Sequence, residues 1–526
     1  MRTKSARTPL FATLRAALQE VALPLERQQE LERRRYSRRE ALKLLGASGV
    51  ALGLSTTLSA CHKRVHQSET SGPRIAIVGA GIGGLNTAHH LKKAGLDATI
   101  YEAALRPGGR CHSTIDLLGP GLVTELGGEF LDSTHLDMLS LAKEFKLEVY
   151  DVKGPGEEKY IEAYSFGERL YSNESILEAF RPAAARIAQD AAVFATWTDV
   201  PSPQVLDLDR TSLSEYLERI GVQGWLKDLI RVAYVTEYGI DADQQSALNL
   251  ICLISTDTQD QEFDLYGSSD ERYKIRGGNQ RIPNALAQKY QDHIRYGHLL
   301  ESIAERNGRY RLTFQREGSV AEVDADIVVV AIPFTLLRSV NLPDSFPPQK
   351  LQVIRELGYG MNSKMLMGFN SRPWRDLGYS GSFFSGTPYQ SGWDNSRAQH
   401  CESGGMTIFL GGKTCTDSAA IDAADYAKKS LPWVGRLFSK CDLEFNGKTG
   451  KFYWPGYPFS HGSYSVYKTG QWTSFAGQER TPVGNIFFAG EHCSEDFQGF
   501  MNGAAESGRF AARDIVAKLE REQLAA

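Results

Sequence analysis

Arg74-Ile75-Ala76-Ile77-Val78-Gly79-Ala80-Gly81-Ile82-Gly83-Gly84-Leu85-Asn86-Thr87-Ala88-His89-His90-Leu91-Lys92-Lys93-Ala94-Gly95 is the stretch whose reading decides the fold. A β-branched run, a glycine turn and a helical segment follow one another in the order a βαβ unit requires. Gly79 permits the tight turn and Gly81 lets the backbone approach a pyrophosphate. Gly84, beside Gly83, allows the helix to pack closely on the strand. The free N–H groups of the helix N-terminus suit phosphate oxygens. A second strand, Ala98-Thr99-Ile100-Tyr101, ends in Glu102, whose carboxylate can accept from both ribose hydroxyls. The pattern predicts an α/β, Rossmann-like dinucleotide-binding domain.

The next segments narrow the nucleotide. Arg106-Pro107-Gly108-Gly109-Arg110 brings two guanidinium groups back towards the phosphates, where Arg110 can neutralise the pyrophosphate. Glu125-Leu126-Gly127-Gly128-Glu129-Phe130 repeats the glycine doublet. Val483 to Glu491 reads as a strand ending in Gly490 and an acid, and Gly499-Phe500-Met501-Asn502-Gly503-Ala504-Ala505-Glu506-Ser507-Gly508 opens a final helix. Both ends of the chain together resemble the flavin-containing amine oxidases, the superfamily of monoamine, polyamine and L-amino-acid oxidases. That resemblance implies a GR2-type flavoprotein: an FAD-binding domain beside a discontinuous α+β substrate-binding domain. It implies FAD contacts from Gly79, Gly81, Gly83, Gly84, Glu102, Gly109, Arg110, Gly127, Gly128, Leu300, Glu491, Gly499, Phe500 and Met501. The segments 74–145, 267–335 and 481–526 would bind FAD, and 146–266 and 336–480 would build the substrate domain. The first of the latter pair reads as helical and the second contains strand-like runs.

Met361-Asn362-Ser363-Lys364-Met365-Leu366-Met367-Gly368-Phe369 sets one lysine in an apolar run. Periodicity alone makes Lys364 the exposed member of an alternating strand. The resemblance reverses this, because many amine oxidases place such a lysine on a water at flavin N5, where its charge favours the reaction of reduced flavin with oxygen. Tyr453-Trp454-Pro455-Gly456-Tyr457-Pro458-Phe459-Ser460-His461-Gly462-Ser463-Tyr464 is similar to another family signature. By that likeness Tyr464 and Phe500 wall the flavin, with Trp454 nearby, and the catalytic set is Lys364, Tyr464, Phe500 and Trp454. Ser463 stands where mammalian monoamine oxidases carry the cysteine bound to flavin, so noncovalent FAD is expected, with Cys493 the only local alternative. The implied reaction is oxidative deamination of a primary amine or L-amino acid: hydride passes to N5, and oxygen yields hydrogen peroxide. Glu129 and Asp132 suit a cationic substrate group or serve as supporting acids. A phytoene-desaturase-like enzyme and a noncatalytic FAD-binding protein are the alternatives.

Composition bounds the rest. The 526 residues carry 59 basic and 63 acidic side chains, a near-balance that argues against a nucleic-acid binder. Positions 1–60 hold eleven Lys/Arg against five Glu, which leaves the remainder with 48 basic and 58 acidic residues. Ser37-Arg38-Arg39 followed by the uncharged run Leu44 to Ala60 resembles a twin-arginine export signal, and Leu58-Ser59-Ala60-Cys61 resembles a lipobox. These features predict passage through the twin-arginine translocase, a periplasmic or membrane-anchored location, a lipid anchor at Cys61 and a linker over 61–73. Seven cysteines without a C-x-x-C pair predict no metal site. A homodimer is compatible with all of this.

Overall fold

The computed structural model describes residues 72–525 apart from 199 and 259–262. The expected export signal, the lipobox at Cys61 and most of the linker lie outside the described residues. Among the described residues no helix is long and apolar enough to cross a membrane.

The opening motif folds as its spacing dictates. Strand β1 (Ile75–Val78) is buried throughout, helix α1 (Ile82–Lys93) follows the glycine turn, and β2 (Ala98–Glu102) lies parallel to β1. Later segments return to the same sheet: β3 (Ile294–Tyr296), β4 (Ile327–Val330) and β5 (Ile486–Phe488) complete a five-stranded parallel sheet in the order β5-β4-β1-β2-β3. Continuous apolar runs such as Ile327-Val328-Val329-Val330 suit strands covered on both faces. The Val483–Glu491 segment is shorter as a strand than its composition suggests, because Val483 and Ile486 close a turn on each other before pairing begins.

A second, seven-stranded sheet is built from chain segments that alternate with these. Strand Asn362–Phe369, second from one edge, pairs antiparallel with Gly404–Gly411 on one side and with the edge strand Phe445–Tyr453 on the other. The region 146–266 is helical for the most part, including Gly224–Tyr238 (α2), yet it also contributes Ile161–Phe166 and Arg169–Tyr171 to this sheet. That hairpin was missed because Ile161-Glu162-Ala163-Tyr164-Ser165-Phe166 alternates only in its inner half. The last helix, α3 (Met501–Ala525), packs along α1. Close approach is possible because Gly508 and Gly83 face each other: a Cβ on Gly508 would lie 2.4 Å from the Gly83 carbonyl oxygen.

Candidate active site

The turn glycines make the nucleotide end. Gly79 has φ +104°, and a Cβ on Gly84 would stand 2.0 Å from the Gly79 carbonyl oxygen. Gly84 therefore packs strand against helix behind the cavity rather than lining it. Gly81 is the opposite case: nothing lies within 4 Å of where its Cβ would be, although it lines the cavity. Gly81 also begins α1, no side chain caps that end, and the first turn carries no acid. The N–H groups of the first turn are thus open to a phosphate, and the residues present fit a dinucleotide.

A cavity of about 550 Å³ runs from this turn into the space between the two sheets. Gly79, Gly81, Gly83, Glu102, Gly109, Arg110, Gly127, Gly128, Leu300, Glu491, Gly499, Phe500, Met501, Lys364, Tyr464 and Trp454 all line it, drawn from five separate parts of the chain. Glu102 accepts from Ala80 N at 2.6 Å and Ala104 N at 2.8 Å, which fixes its carboxylate at the end of β2. Burial pushes that carboxyl up and the same N–H groups oppose the rise.

Arg110 departs from expectation. Its Nη1 donates to Glu491 Oε1 at 2.7 Å and to the Ser463 carbonyl at 2.8 Å, so this guanidinium holds the far ends of the chain together. Burial alone would raise the Glu491 carboxyl, but Arg110 holds it below the ordinary range. Glu491 also accepts from Ser465 Oγ and Gly499 N, which ties the start of the last helix to the cavity wall.

Lys364 is neither exposed nor a free amine. All eight residues of its strand are buried, because both faces of this strand are covered. Met365, Met367 and Phe369 pack into one core, whereas Lys364 and Leu366 point towards the glycine-rich loops of the nucleotide half. Lys364 Nζ donates to the carbonyls of Glu125 (3.0 Å) and Gly127 (2.9 Å) and to Glu129 Oε2 (2.7 Å). An ammonium has three protons, so none is left over for the water that the resemblance implies. Glu129 is likewise committed, since its Oε1 accepts from Lys274 Nζ at 2.8 Å. Burial would raise its carboxyl, yet Lys274 and Lys364 together hold it low. The reading of Glu129 as a partner for substrate is thereby corrected.

The aromatic positions converge as well. Tyr464 donates to the Thr236 carbonyl (3.1 Å), and Trp454 Nε1 donates to the Leu126 carbonyl (3.0 Å). Phe500 packs edge-on to His135. Ser463 lines the cavity and donates to Asn362 Oδ1 at 2.6 Å, whereas Cys493 is buried away from it, its thiol pushed up by burial. Among the described residues no two cysteines are joined to each other, and no cluster there could hold a metal.

Three acids on this wall were not all foreseen. Asp132, Glu237 and Glu271 line the cavity with Tyr464 and Phe500. Burial, then mutual repulsion, pushes Glu237 up to about 7 and Glu271 up to about 8. Asp132 rises to about 6, chiefly through burial, and accepts from Glu271 N at 3.0 Å. Glu237 had a sequence signal, a lone acid in the apolar run from Leu229 to Tyr238. Glu271 had none, lying in a polar turn at φ +43°.

A parallel sheet with an open glycine turn, joined through one cavity to a second mixed sheet, defines a two-domain dinucleotide-binding flavoprotein. The sequence profile of the flavin containing amine oxidoreductases matches residues 82–516, and the chain belongs to that family. It binds FAD and is an oxidoreductase. YobN of Bacillus subtilis, a protein assigned as an L-amino-acid oxidase, is 26% identical over 84% of this chain and 94% of its own. An L-amino-acid oxidase of Protobothrops flavoviridis is 23% identical over 85% of this chain and 90% of its own. Cyclohexylamine oxidase from Brevibacterium oxydans shares the fold, with a TM-score of 0.75 at 20% identity over 85% of this chain and 99% of that one.

Proposed function

We propose that the protein oxidises a primary amine bearing a second cationic group, such as a diamine. In the reaction RCH2NH2, O2 and H2O become RCHO, NH3 and H2O2. FAD, held noncovalently, supplies the two-electron acceptor that oxygen regenerates. The observation that carries the substrate reading is the acid wall of Asp132, Glu237 and Glu271 beside Tyr464 and Phe500. A second ammonium entering there would draw protons off these raised carboxyls and pair with them. Tyr464 and Phe500 would orient the reacting amine and exclude water, and their faces attract a cation. Lys364 and Trp454 would fix the opposite wall through their bonds to the 125–127 loop.

An amino-acid carboxylate finds less welcome. Arg110 is paired with Glu491, and Arg106 donates to the Pro107 and Gly109 carbonyls and to Tyr457. The relatives named L-amino-acid oxidases favour a second reading, a basic L-amino acid whose side-chain cation meets the same acids. Three carboxylates do not suit the lipid substrate of a desaturase. Peroxide release from a panel of diamines, monoamines and basic and neutral L-amino acids tests the reading. Diamines should give the highest kcat/KM, and a preference for neutral amino acids would overturn it.

The same proposal has the protein exported already folded around FAD, guided by Arg38-Arg39 and anchored at Cys61. Changing both arginines to lysine should retain the protein in the cytoplasm on cell fractionation. Undiminished export would remove this part.

A further inference from the structure

Lys364 and Lys274 reach one buried carboxylate from different parts of the chain. Glu129 gives Oε2 to Lys364 at 2.7 Å and Oε1 to Lys274 at 2.8 Å, and the three side chains are only 4%, 5% and 3% exposed for Lys364, Lys274 and Glu129 in turn. Lys364 and Glu129 line the flavin cavity; Lys274 does not and stands behind them. Lys274 comes from the short strand Tyr273–Ile275, also donates to the Asn395 carbonyl at 3.2 Å, and lies 5.5 Å from the centre of the Phe130 ring.

The charge count gives this arrangement its meaning. A single lysine on a single buried carboxylate is a neutral pair and presents little field to the cavity. With Lys274 present, two ammoniums share one carboxylate and the group keeps one net positive charge. Glu125 is the other acid facing this group. Burial pushes its carboxyl up to about 7, so below that pH it does not cancel the charge.

We propose that Lys274 is a positioning residue which, by occupying half of Glu129, holds Lys364 in place and leaves a net positive charge on the flavin cavity wall. That charge favours electrons arriving on the bound flavin and the negative charge that develops as oxygen is reduced. The inference rests on FAD binding and not on which amine is oxidised.

The test uses holoprotein at pH 6 without substrate. It measures the midpoint potential of the bound flavin by anaerobic dithionite titration and the rate at which dithionite-reduced protein is reoxidised by oxygen. Lys274→Met should lower the potential and slow reoxidation roughly tenfold or more. Lys274→Arg should restore both towards the parent values. Glu129→Gln, which unmasks the second charge, should raise the potential. A merely structural Lys274 would lower the melting temperature and leave the potential unchanged, and that result overturns the proposal. Potentials that move the same way in Lys274→Met and Glu129→Gln overturn it too. If Lys274→Met does not retain flavin, Glu129→Gln decides alone: a raised potential supports the proposal and an unchanged or lowered one ends it.

Discussion

Replacing Glu237 with glutamine removes one carboxyl from the acid wall and has two separable consequences. Glu237 lies in the last turn of α2 and is half-buried, and its carboxyl is pushed up from 4.5 to about 7 by burial and the charge of Asp132. That gap corresponds to about 3 kcal/mol of stability at most. Below pH 4.5 the folded and unfolded chains both carry the proton and nothing is lost. As pH rises the unfolded chain gives up its proton first, so this group's contribution to stability falls between pH 4.5 and 7 and is gone above 7. Glutamine never titrates. Glu237→Gln should therefore match the parent near pH 4.5 and be more stable by up to about 3 kcal/mol at pH 8. Melting temperatures of the substrate-free holoprotein across that range measure the difference. The same change weakens the hold on a distal ammonium. A charge pair at 4 Å and an effective dielectric of about 20 is worth about 4 kcal/mol, of which desolvation leaves about 1.4 to 2. Diamine kcat/KM should fall roughly 10- to 30-fold relative to a monoamine of similar length. An equal stability gain at pH 5 and pH 8, or an equal fall for both amines, would refute the reasoning.

Three further outcomes follow from single contacts. Gly84→Ala puts a methyl group 2.0 Å from the Gly79 carbonyl oxygen, so α1 must shift and the flavin-to-protein ratio after purification should drop severalfold with helical circular dichroism retained. Arg110→Met leaves Glu491, whose side chain is 6% exposed, without its cation and should cost about 3 to 5 kcal/mol in denaturant unfolding, part of it recovered in Arg110→Met with Glu491→Gln. Acid precipitation of the holoprotein should leave all flavin in the supernatant, because Ser463 rather than a thiol lines the cavity at that position; colour in the pellet would show a covalent bond.

Much of the nucleotide end was legible because its signals are local. Gly79, Gly81 and Gly84 act through backbone geometry within one turn, and β1, α1 and β2 follow from periodicity over thirty residues. The closing strand and helix were legible for the same reason. What escaped depends on contacts between distant segments. Lys364 looked exposed by alternation, yet its strand is covered on both faces by cores formed elsewhere. Arg110 looked free for phosphate until Glu491, 381 positions away, claimed it. Lys274 carried no signal of its own in Tyr273-Lys274-Ile275, because its meaning comes from Glu129, which it meets across 145 positions. The acid wall is similar: Asp132, Glu237 and Glu271 converge only once α2 and two loops are in place, and no spacing relates them.

The central claim is that a bound flavin in this cavity accepts electrons from a cationic amine. Mixing the yellow holoprotein with a diamine in the absence of oxygen tests it most directly. The flavin absorbance should bleach, return on admitting air, and release one hydrogen peroxide per amine oxidised. A flavin that stays oxidised with every amine and amino acid offered, while remaining reducible by dithionite, would contradict the account.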